Sequence, residues 1–193
     1  MKRHKAGVIV GSNRRESLNR RFAQALVKLV EDRLDFTWIA IDDLPMYNGD
    51  LEGDRPATVL RFTAEVRQVP SLLFVMPEHN RSLPAVLKNA IDWGSKPTEQ
   101  NVWRDRTAAI TGTSPGAIGT AVGQQHLRQI LGILGMTVMG GEAYISFKPE
   151  PVDRDGQFLD DGRRQFCQAY MDRFVALTDA LAPQHLETPA GAR

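Results

Sequence analysis

Apolar runs of about five residues alternate along the chain with stretches whose apolar positions recur at helical spacing. Residues 6–10 (Ala-Gly-Val-Ile-Val) form the first run and predict a buried strand. From 18 to about 33 the apolar positions Leu18, Phe22, Leu26, Leu29 and Val30 predict an amphipathic helix. Residues 36–41 are rich in β-branched and aromatic side chains and predict a second strand. Pro45, Asn48, Gly49 and Gly53 mark 42–55 as a loop. Pro56 sits where a first helical residue belongs, with Val59, Leu60, Val66 and Val69 as that helix's core face. Residues 71–76 run Leu-Leu-Phe-Val-Met after Ser71 with no polar break, the pattern of a parallel strand covered on both faces. Pro84 starts a third helix and Gly94 is placed to end it. A fourth strand over 106–111, a helix over 119–135 and a last helix over 160–181 follow. Between the last two helices, 137–139 and 143–147 predict one fifth strand region interrupted at Gly140-Gly141.

Strict strand–helix alternation implies an α/β fold, a doubly wound five-stranded parallel sheet with helices on both faces. The chain has 193 residues, which suits one domain. We expect that domain over 1–182, with 183–193 as a disordered tail of Pro, Gly, Ala and polar residues. Hydrophobic residues make up 42% of the chain, enough to build a core and too many for intrinsic disorder. The net charge of +1 argues against a nucleic-acid partner, which calls for a strongly basic surface. The single cysteine, Cys167, forms no internal disulfide and reads as a small buried apolar residue. His4, His79, His126 and His185 are scattered without ligand spacing, so no metal site is expected. The apolar run behind Lys2, Arg3, His4 and Lys5 is shorter than the roughly 7–15 residues of a secretory core. No run approaches the roughly 20 residues of a membrane span, so a cytoplasmic protein without a membrane partner is expected.

In such sheets ligands bind beyond the carboxyl ends of the strands. Three loops there carry candidate chemistry. The first, Gly11-Ser12-Asn13-Arg14-Arg15-Glu16-Ser17-Leu18-Asn19, joins a buried strand to a helix start. Its amides and the helix dipole favour an anion, and Ser12, Arg14, Ser17 and Asn19 add donors. It has neither the G-x-x-x-x-G-K-[ST] nor the G-x-G-x-x-G pattern, so neither an ATPase nor a dinucleotide fold is signalled. The alternative is that Ser17 only caps a helix and the arginines are solvated. In the second loop, Pro77 and Pro84 bracket Glu78-His79-Asn80-Arg81-Ser82-Leu83, a stiff segment that could lay its amides along a planar ring. Judged alone it reads better as an ordinary strand–helix connection. The third, Gly112-Thr113-Ser114-Pro115-Gly116-Ala117-Ile118-Gly119-Thr120, has three glycines that permit a close backbone approach to a ligand or simply a turn.

Together these residues resemble the NADPH-dependent FMN reductase family, flavodoxin-like quinone, chromate and azo-dye reductases, over roughly 6 to 147. The first loop fits a G-S-x-R-x-x-S-x-N phosphate pattern at Gly11, Ser12, Arg14, Ser17 and Asn19. The second fits P-E-Y-N-x-S-x-P, with His79 where the family commonly has tyrosine, followed by the family-like run Leu87-Lys88-Asn89-Ala90-Ile91-Asp92-Trp93. The resemblance implies a flavodoxin-like fold, FMN as cofactor and NADPH (with NADH possible) as reductant. It further implies a ping-pong cycle in which hydride reaches the flavin and then a small-molecule electron acceptor: a quinone, a flavin, an azo compound or a metal oxyanion. It assigns Gly11, Ser12, Arg14, Ser17, Leu18 and Asn19 to the FMN phosphate. Pro77, Glu78, His79, Asn80 and Ser82 fall to the ring, and Thr113, Ser114 and Gly116 to its other edge. No side chain is assigned as an obligatory acid or base. A homodimer or homotetramer is implied, with Arg128 and Glu142 in segments resembling subunit contacts. Arg15, Arg81 and Lys96 are candidates for a 2′-phosphate. A flavodoxin-like electron carrier for a protein partner is the competing reading, disfavoured by the near-neutral charge.

Overall fold

The computed structural model describes residues 3–186. The chain runs β1 (His4–Val10), α1 (Leu18–Lys28), β2 (Leu34–Trp38), α2 (Ala57–Arg67), β3 (Ser71–Val75), α3 (Ala85–Ser95), β4 (Thr107–Ser114), α4 (Ala121–Ile133), β5 (Thr137–Val138), β6 (Ala143–Ser146) and α5 (Asp161–Leu186). The strands lie in the order β2-β1-β3-β4-β5, and β6 pairs with the same edge of the fold as β5, through β4. All pairs are parallel. The order 2-1-3-4-5 is that of a doubly wound flavodoxin-like sheet, and its topological switch falls between β1 and β3.

Each strand–helix alternation buries one stripe of helix on one face of the sheet. Phe22 and Leu26 of α1 and Tyr170, Met171 and Phe174 of α5 pack with Val8, Leu73 and Ala109. On the opposite face Val59 and Phe62 of α2, Leu87 and Trp93 of α3, and Leu127 and Leu131 of α4 pack with Ile9, Leu72 and Ile110. β3 is buried along its whole length, as its unbroken apolar run requires.

Several boundaries move for identifiable reasons. β2 starts at Leu34 rather than 36 because Leu34 pairs with His4, and its last pair is Val8 with Trp38. α1 therefore stops at Lys28, and tightened turns through Val30 and Arg33 carry the chain into the sheet. Pro56 and Pro84 precede their helices by one residue, both with extended ψ. Gly94 does not end α3: it lies inside the helix against the indole of Trp103, where an added Cβ would come within 2.6 Å of the ring. It marks a close packing contact, not a cap. β4 continues to Ser114 because Thr111–Ser114 pair with Ala143–Ser146, so Thr113 and Ser114 are strand residues rather than loop. The last helix reaches Leu186, beyond the expected end at 181. The rest of the expected tail, 187–193, lies outside the described residues.

The interrupted edge at Gly140-Gly141 is braced by Arg128. Its guanidinium donates to the carbonyls of Met139 (2.8 Å) and Gly141 (2.9 Å). Arg128 is thus spent within the chain, whereas Glu142 sits in an exposed cluster and accepts a hydrogen bond from Gln125, which also donates to the Tyr144 hydroxyl. Hydrogen bonds from Tyr144 and Gln125 hold the Glu142 carboxyl below its usual range.

Cys167 is buried on α5, and burial pushes its thiol up to about 12, so no thiolate forms near neutral pH. Replacing Cys167 with Ser is expected to leave turnover intact while costing about 1–3 kcal/mol of stability for a buried hydroxyl. Urea unfolding and steady-state rates check both halves, and a large loss of turnover with stability retained would contradict the inert assignment.

Candidate functional site

The three loops leave the carboxyl ends of β1, β3 and β4, which are consecutive neighbours in the sheet at and beside the switch point. The Gly11 amide still extends the ladder, donating to Val75 at 2.9 Å, and Met76 donates to Thr111 at 3.1 Å. Gly112 has no room for a side chain: a Cβ there would lie 1.8 Å from the Met76 carbonyl oxygen. Glycine at that position lets the start of the second loop lie directly against β4.

In the first loop Gly11 is buried, Ser12 is half-buried and Asn13 to Glu16 are exposed. Ser17 is buried and caps α1, its hydroxyl accepting from the Arg20 amide at 3.2 Å. Leu18, half-buried, is the first helical residue. Ser12 Oγ accepts from the Arg14 amide at 3.4 Å. Among the described residues the amides of Asn13, Arg15 and Glu16 find no acceptor in the chain, and no carboxylate pairs with Arg14. The loop therefore offers free donors at the positive end of a helix.

Asn19 is placed differently from a ligand-facing donor. It is 3% exposed, and its carboxamide brackets the backbone of Thr113: Nδ2 donates to the carbonyl and Oδ1 accepts from the amide, each at 2.9 Å. Both faces of its amide are consumed in holding the first loop to β4. Beside this bracket the Thr113 hydroxyl is buried and, among the described residues, finds no partner.

The second loop owes its shape to more than its prolines. His79 and Ser82 exchange backbone hydrogen bonds of 3.0 and 2.9 Å around Asn80 and Arg81, whose φ values are +51° and +64°. This is a two-residue turn of the primed kind, which places both central residues in the left-handed region. Asparagine tolerates that region; arginine stores strain there. The amides of His79 and Ser82 are thus paired with carbonyls of the turn itself, so they are not the free donors expected along a ring edge. Pro77 is half-buried and the side chains of His79 and Asn80 are exposed. The Glu78 carboxylate is only 8% exposed, accepts from the Gly123 amide in the first turn of α4 at 3.0 Å, and lies 3.4 Å from Arg81. It caps α4 rather than facing outward.

The third loop's glycines divide their roles. Gly112 accommodates Met76, and Gly119 (φ +60°) packs against the backbone of Tyr144 and Ile145. Only Gly116 faces open space, with Ser114 Oγ the nearest atom to an added Cβ at 3.8 Å. Ser114 Oγ itself donates to the Gly119 carbonyl.

The run from Leu87 to Trp93 serves the scaffold. Asn89 accepts from the Tyr47 amide at 2.8 Å and donates to the Pro45 carbonyl at 2.9 Å, and the Trp93 indole donates to the same carbonyl at 2.7 Å. Lys96 follows the last residue of α3, roughly 16 Å of helix away from the second loop. Sequence pattern missed His126 and Gln129, which line a cleft beside the His79–Ser82 turn. Their i, i+3 spacing on α4 was visible, but not that this helix face turns toward the second loop.

The NADPH-dependent FMN reductase family profile matches residues 4–150. A quinone reductase of Pseudomonas putida is 43% identical over 175 residues, 90% of this chain and 94% of that protein. A 2-hydroxy-1,4-benzoquinone reductase of a Burkholderia species is 40% identical over 173 residues, 89% and 94% of the two chains. The solved structure of FerB, a flavoenzyme NAD(P)H:(acceptor) oxidoreductase from Paracoccus denitrificans, superposes with a TM-score of 0.88 at 41% identity, covering 92% of this chain and 98% of that one.

Replacing Asn19 with Ala strips the Thr113 amide and carbonyl of their partners in a buried setting. A loss of about 2–4 kcal/mol is expected in urea denaturation. A loss below 0.5 kcal/mol, on the order of a typical surface change, would show that the bracket does not hold the loops together.

Proposed function

Because the chain belongs to the NADPH-dependent FMN reductase family, we propose that its three strand-end loops form one FMN site serving a ping-pong reduction of quinones. The protein is an FMN-dependent NAD(P)H oxidoreductase acting on small-molecule acceptors. The observation that carries the site reading is the first loop: among the described residues it has free amides at the N-terminus of α1, an Arg14 without a carboxylate partner, and a buried Thr113 hydroxyl without a partner where the loop meets β4. Such a donor set suits a phosphate monoester joined to a polyol chain.

In this reading Ser12, Arg14, Ser17 and Leu18 surround the phosphate, Arg14 as its charged fork and the others chiefly through backbone and hydroxyl donors, while Gly11, its amide spent on Val75, opens the turn that places them. Asn19 acts as a positioning residue through Thr113. Pro77, Glu78 and Asn80 border the ring with backbone groups, His79 presents its imidazole, and Ser82 holds the turn. Thr113, Ser114 and Gly116 line the opposite edge, where the open space at Gly116 admits a close approach. Bound FMN supplies a two-electron carrier that accepts hydride from NAD(P)H and yields it to the acceptor. The chain's own task is to hold that group, orient it and leave one face open to two substrates in turn. Arg15 and Arg81 are the cations placed to favour NADPH over NADH. The assembly is a homodimer or homotetramer, for which the exposed Gln125–Glu142–Tyr144 cluster and Ile133, 85% exposed on α4, offer contact surface. No described helix is long and apolar enough to cross a membrane, and we place the enzyme in the cytoplasm.

Visible spectroscopy of the purified protein tests this directly. A flavin spectrum that bleaches on anaerobic NADPH and returns with a quinone is expected, with parallel double-reciprocal plots for the two substrates. A flavin that NADPH does not bleach would favour the electron-carrier reading; no flavin retained after adding FMN would reject the site. Arg14→Ala is expected to weaken FMN binding about tenfold or more, the equivalent of about 1.5–3 kcal/mol, in a fluorescence titration. Unchanged affinity would remove Arg14 from the phosphate. Sedimentation should give a dimer or tetramer at micromolar concentration, and a monomer would refute the assembly.

A further inference from the structure

A small notch of about 70 Å³ opens on the α1 side of the sheet, where β1 and β2 end. Trp38 pairs in register with Val8, so its side chain stands on the same face as Val8 and Val10, which pack with Phe22 and Leu26 of α1. The first turn of α1 closes the notch with Arg20, and Asp42 closes it from the loop behind β2. β2 is an edge strand, and the other edge of the sheet carries the exposed Gln125–Glu142–Tyr144 cluster. The notch therefore lies apart from the second and third loops and from the outer face of α4. It meets the first loop at Ser12 alone.

The polar groups around the notch are unspent. Trp38 is 40% exposed, whereas Trp93 and Trp103 are buried with their indoles hydrogen-bonded to carbonyls. Among the described residues the Trp38 indole N–H, the Arg20 guanidinium and the Asp42 carboxylate have no hydrogen-bond or ion-pair partner. Arg14 is the charged fork of the first loop, so Arg20 is a cation in excess of what one phosphate monoester there requires. The volume is that of about two waters at about 30 Å³ each, room for one phosphate group and too little for a purine. The purine is left to the exposed indole, a face on which any base stacks. A carboxylate accepts hydrogen bonds and donates none, so Asp42 calls for a hydroxyl donor, which a ribose supplies. The loops assigned to the flavin ring leave β3 and β4, two and three strand spacings from β2. At about 4.8 Å per spacing that is about 10–14 Å, a span that an extended dinucleotide covers. Resting on the reading of the chain as an NAD(P)H-dependent flavoenzyme, we propose that the notch is the subsite for the adenylate end of the reductant, with Arg20 on a phosphate, Asp42 on a ribose hydroxyl and Trp38 under the purine.

The test is calorimetric titration of the full-length FMN-loaded protein at pH 7 with 5′-AMP, 2′-AMP and adenosine. One of the two nucleotides is expected to bind about tenfold tighter than adenosine, the size of one charge-assisted hydrogen bond. A preference for 5′-AMP assigns Arg20 to the diphosphate bridge that NADH and NADPH share; a preference for 2′-AMP assigns it to the 2′-phosphate of NADPH. Arg20→Ala, at an exposed position, should erase the preference while leaving adenosine within about twofold. Trp38→Ala should weaken nucleotide and adenosine alike by about fivefold or more, as loss of a stacking face does. The tighter nucleotide should also slow the anaerobic bleaching of the flavin by NADPH. Nucleotides that bind no tighter than adenosine, a preference that survives Arg20→Ala, indifference to Trp38→Ala, or bleaching that the bound nucleotide does not slow would each overturn the proposal. Bleaching by NADPH without added nucleotide is read separately. If it occurs while neither nucleotide binds, the notch assignment falls and the reductase reading stands. If it does not occur, the reductase reading fails, and with it the assignment of the notch to a reductant.

Discussion

The carboxamide of Asn19 closed over the Thr113 backbone is the contact on which the rest of the site depends. It joins the first turn of α1 to the end of β4, across the position of β3, with both of its bonds at 2.9 Å and out of water. A buried amide satisfied on both faces contributes modestly in net terms, but a partner left unpaired there is costly. That asymmetry makes the bracket a specification of geometry more than a source of stability. It sets how far the free amides of the first loop lie from the open backbone at Gly116, and hence the width available to a ligand.

The second loop is fixed by a different device. Glu78 reaches over to the N-terminus of α4 and satisfies one of the amides that every helix start leaves without a partner. The same carboxylate lies beside Arg81 in a turn that holds two non-glycine residues at positive φ. Strain of that kind persists only where the surroundings over-determine the backbone. Here the His79–Ser82 bridge and the Glu78 cap do so. His79 falls on the exposed corner of this rigid turn, so its imidazole is presented outward without loosening the wall.

Rigidity on three sides explains why the chemistry can be left to a cofactor. The chain spends its buried polar groups on one another: Asn19 on Thr113, Glu78 on α4, Asn89 and Trp93 on the Pro45 carbonyl. What remains unspent is concentrated at the strand ends, in the first-loop amides, the Thr113 hydroxyl and the cleft-facing donors of α4. In the proposed site such a frame would hold and orient a flavin, which supplies the redox chemistry itself.

The alternation of apolar runs with amphipathic stretches was enough to specify the α/β class, the parallel sheet and the loops at its strand ends, because burial on two faces imposes its own periodicity on the residues. The first loop was equally legible as a candidate anion site, since a helix start following a buried strand presents free backbone donors. The roles within the motifs were not. Asn19 and Glu78 look like ligand-facing residues in one dimension, and the run from Leu87 to Trp93 shows only a family likeness there. Only the folded chain shows that their partners lie 94, 45 and about 45 positions away. The length of β4 depended on β6, and the place of Gly94 on Trp103, for the same reason. Local pattern reports which face of an element is buried; which distant atom meets it is decided by packing, and the function of a polar side chain follows from that atom.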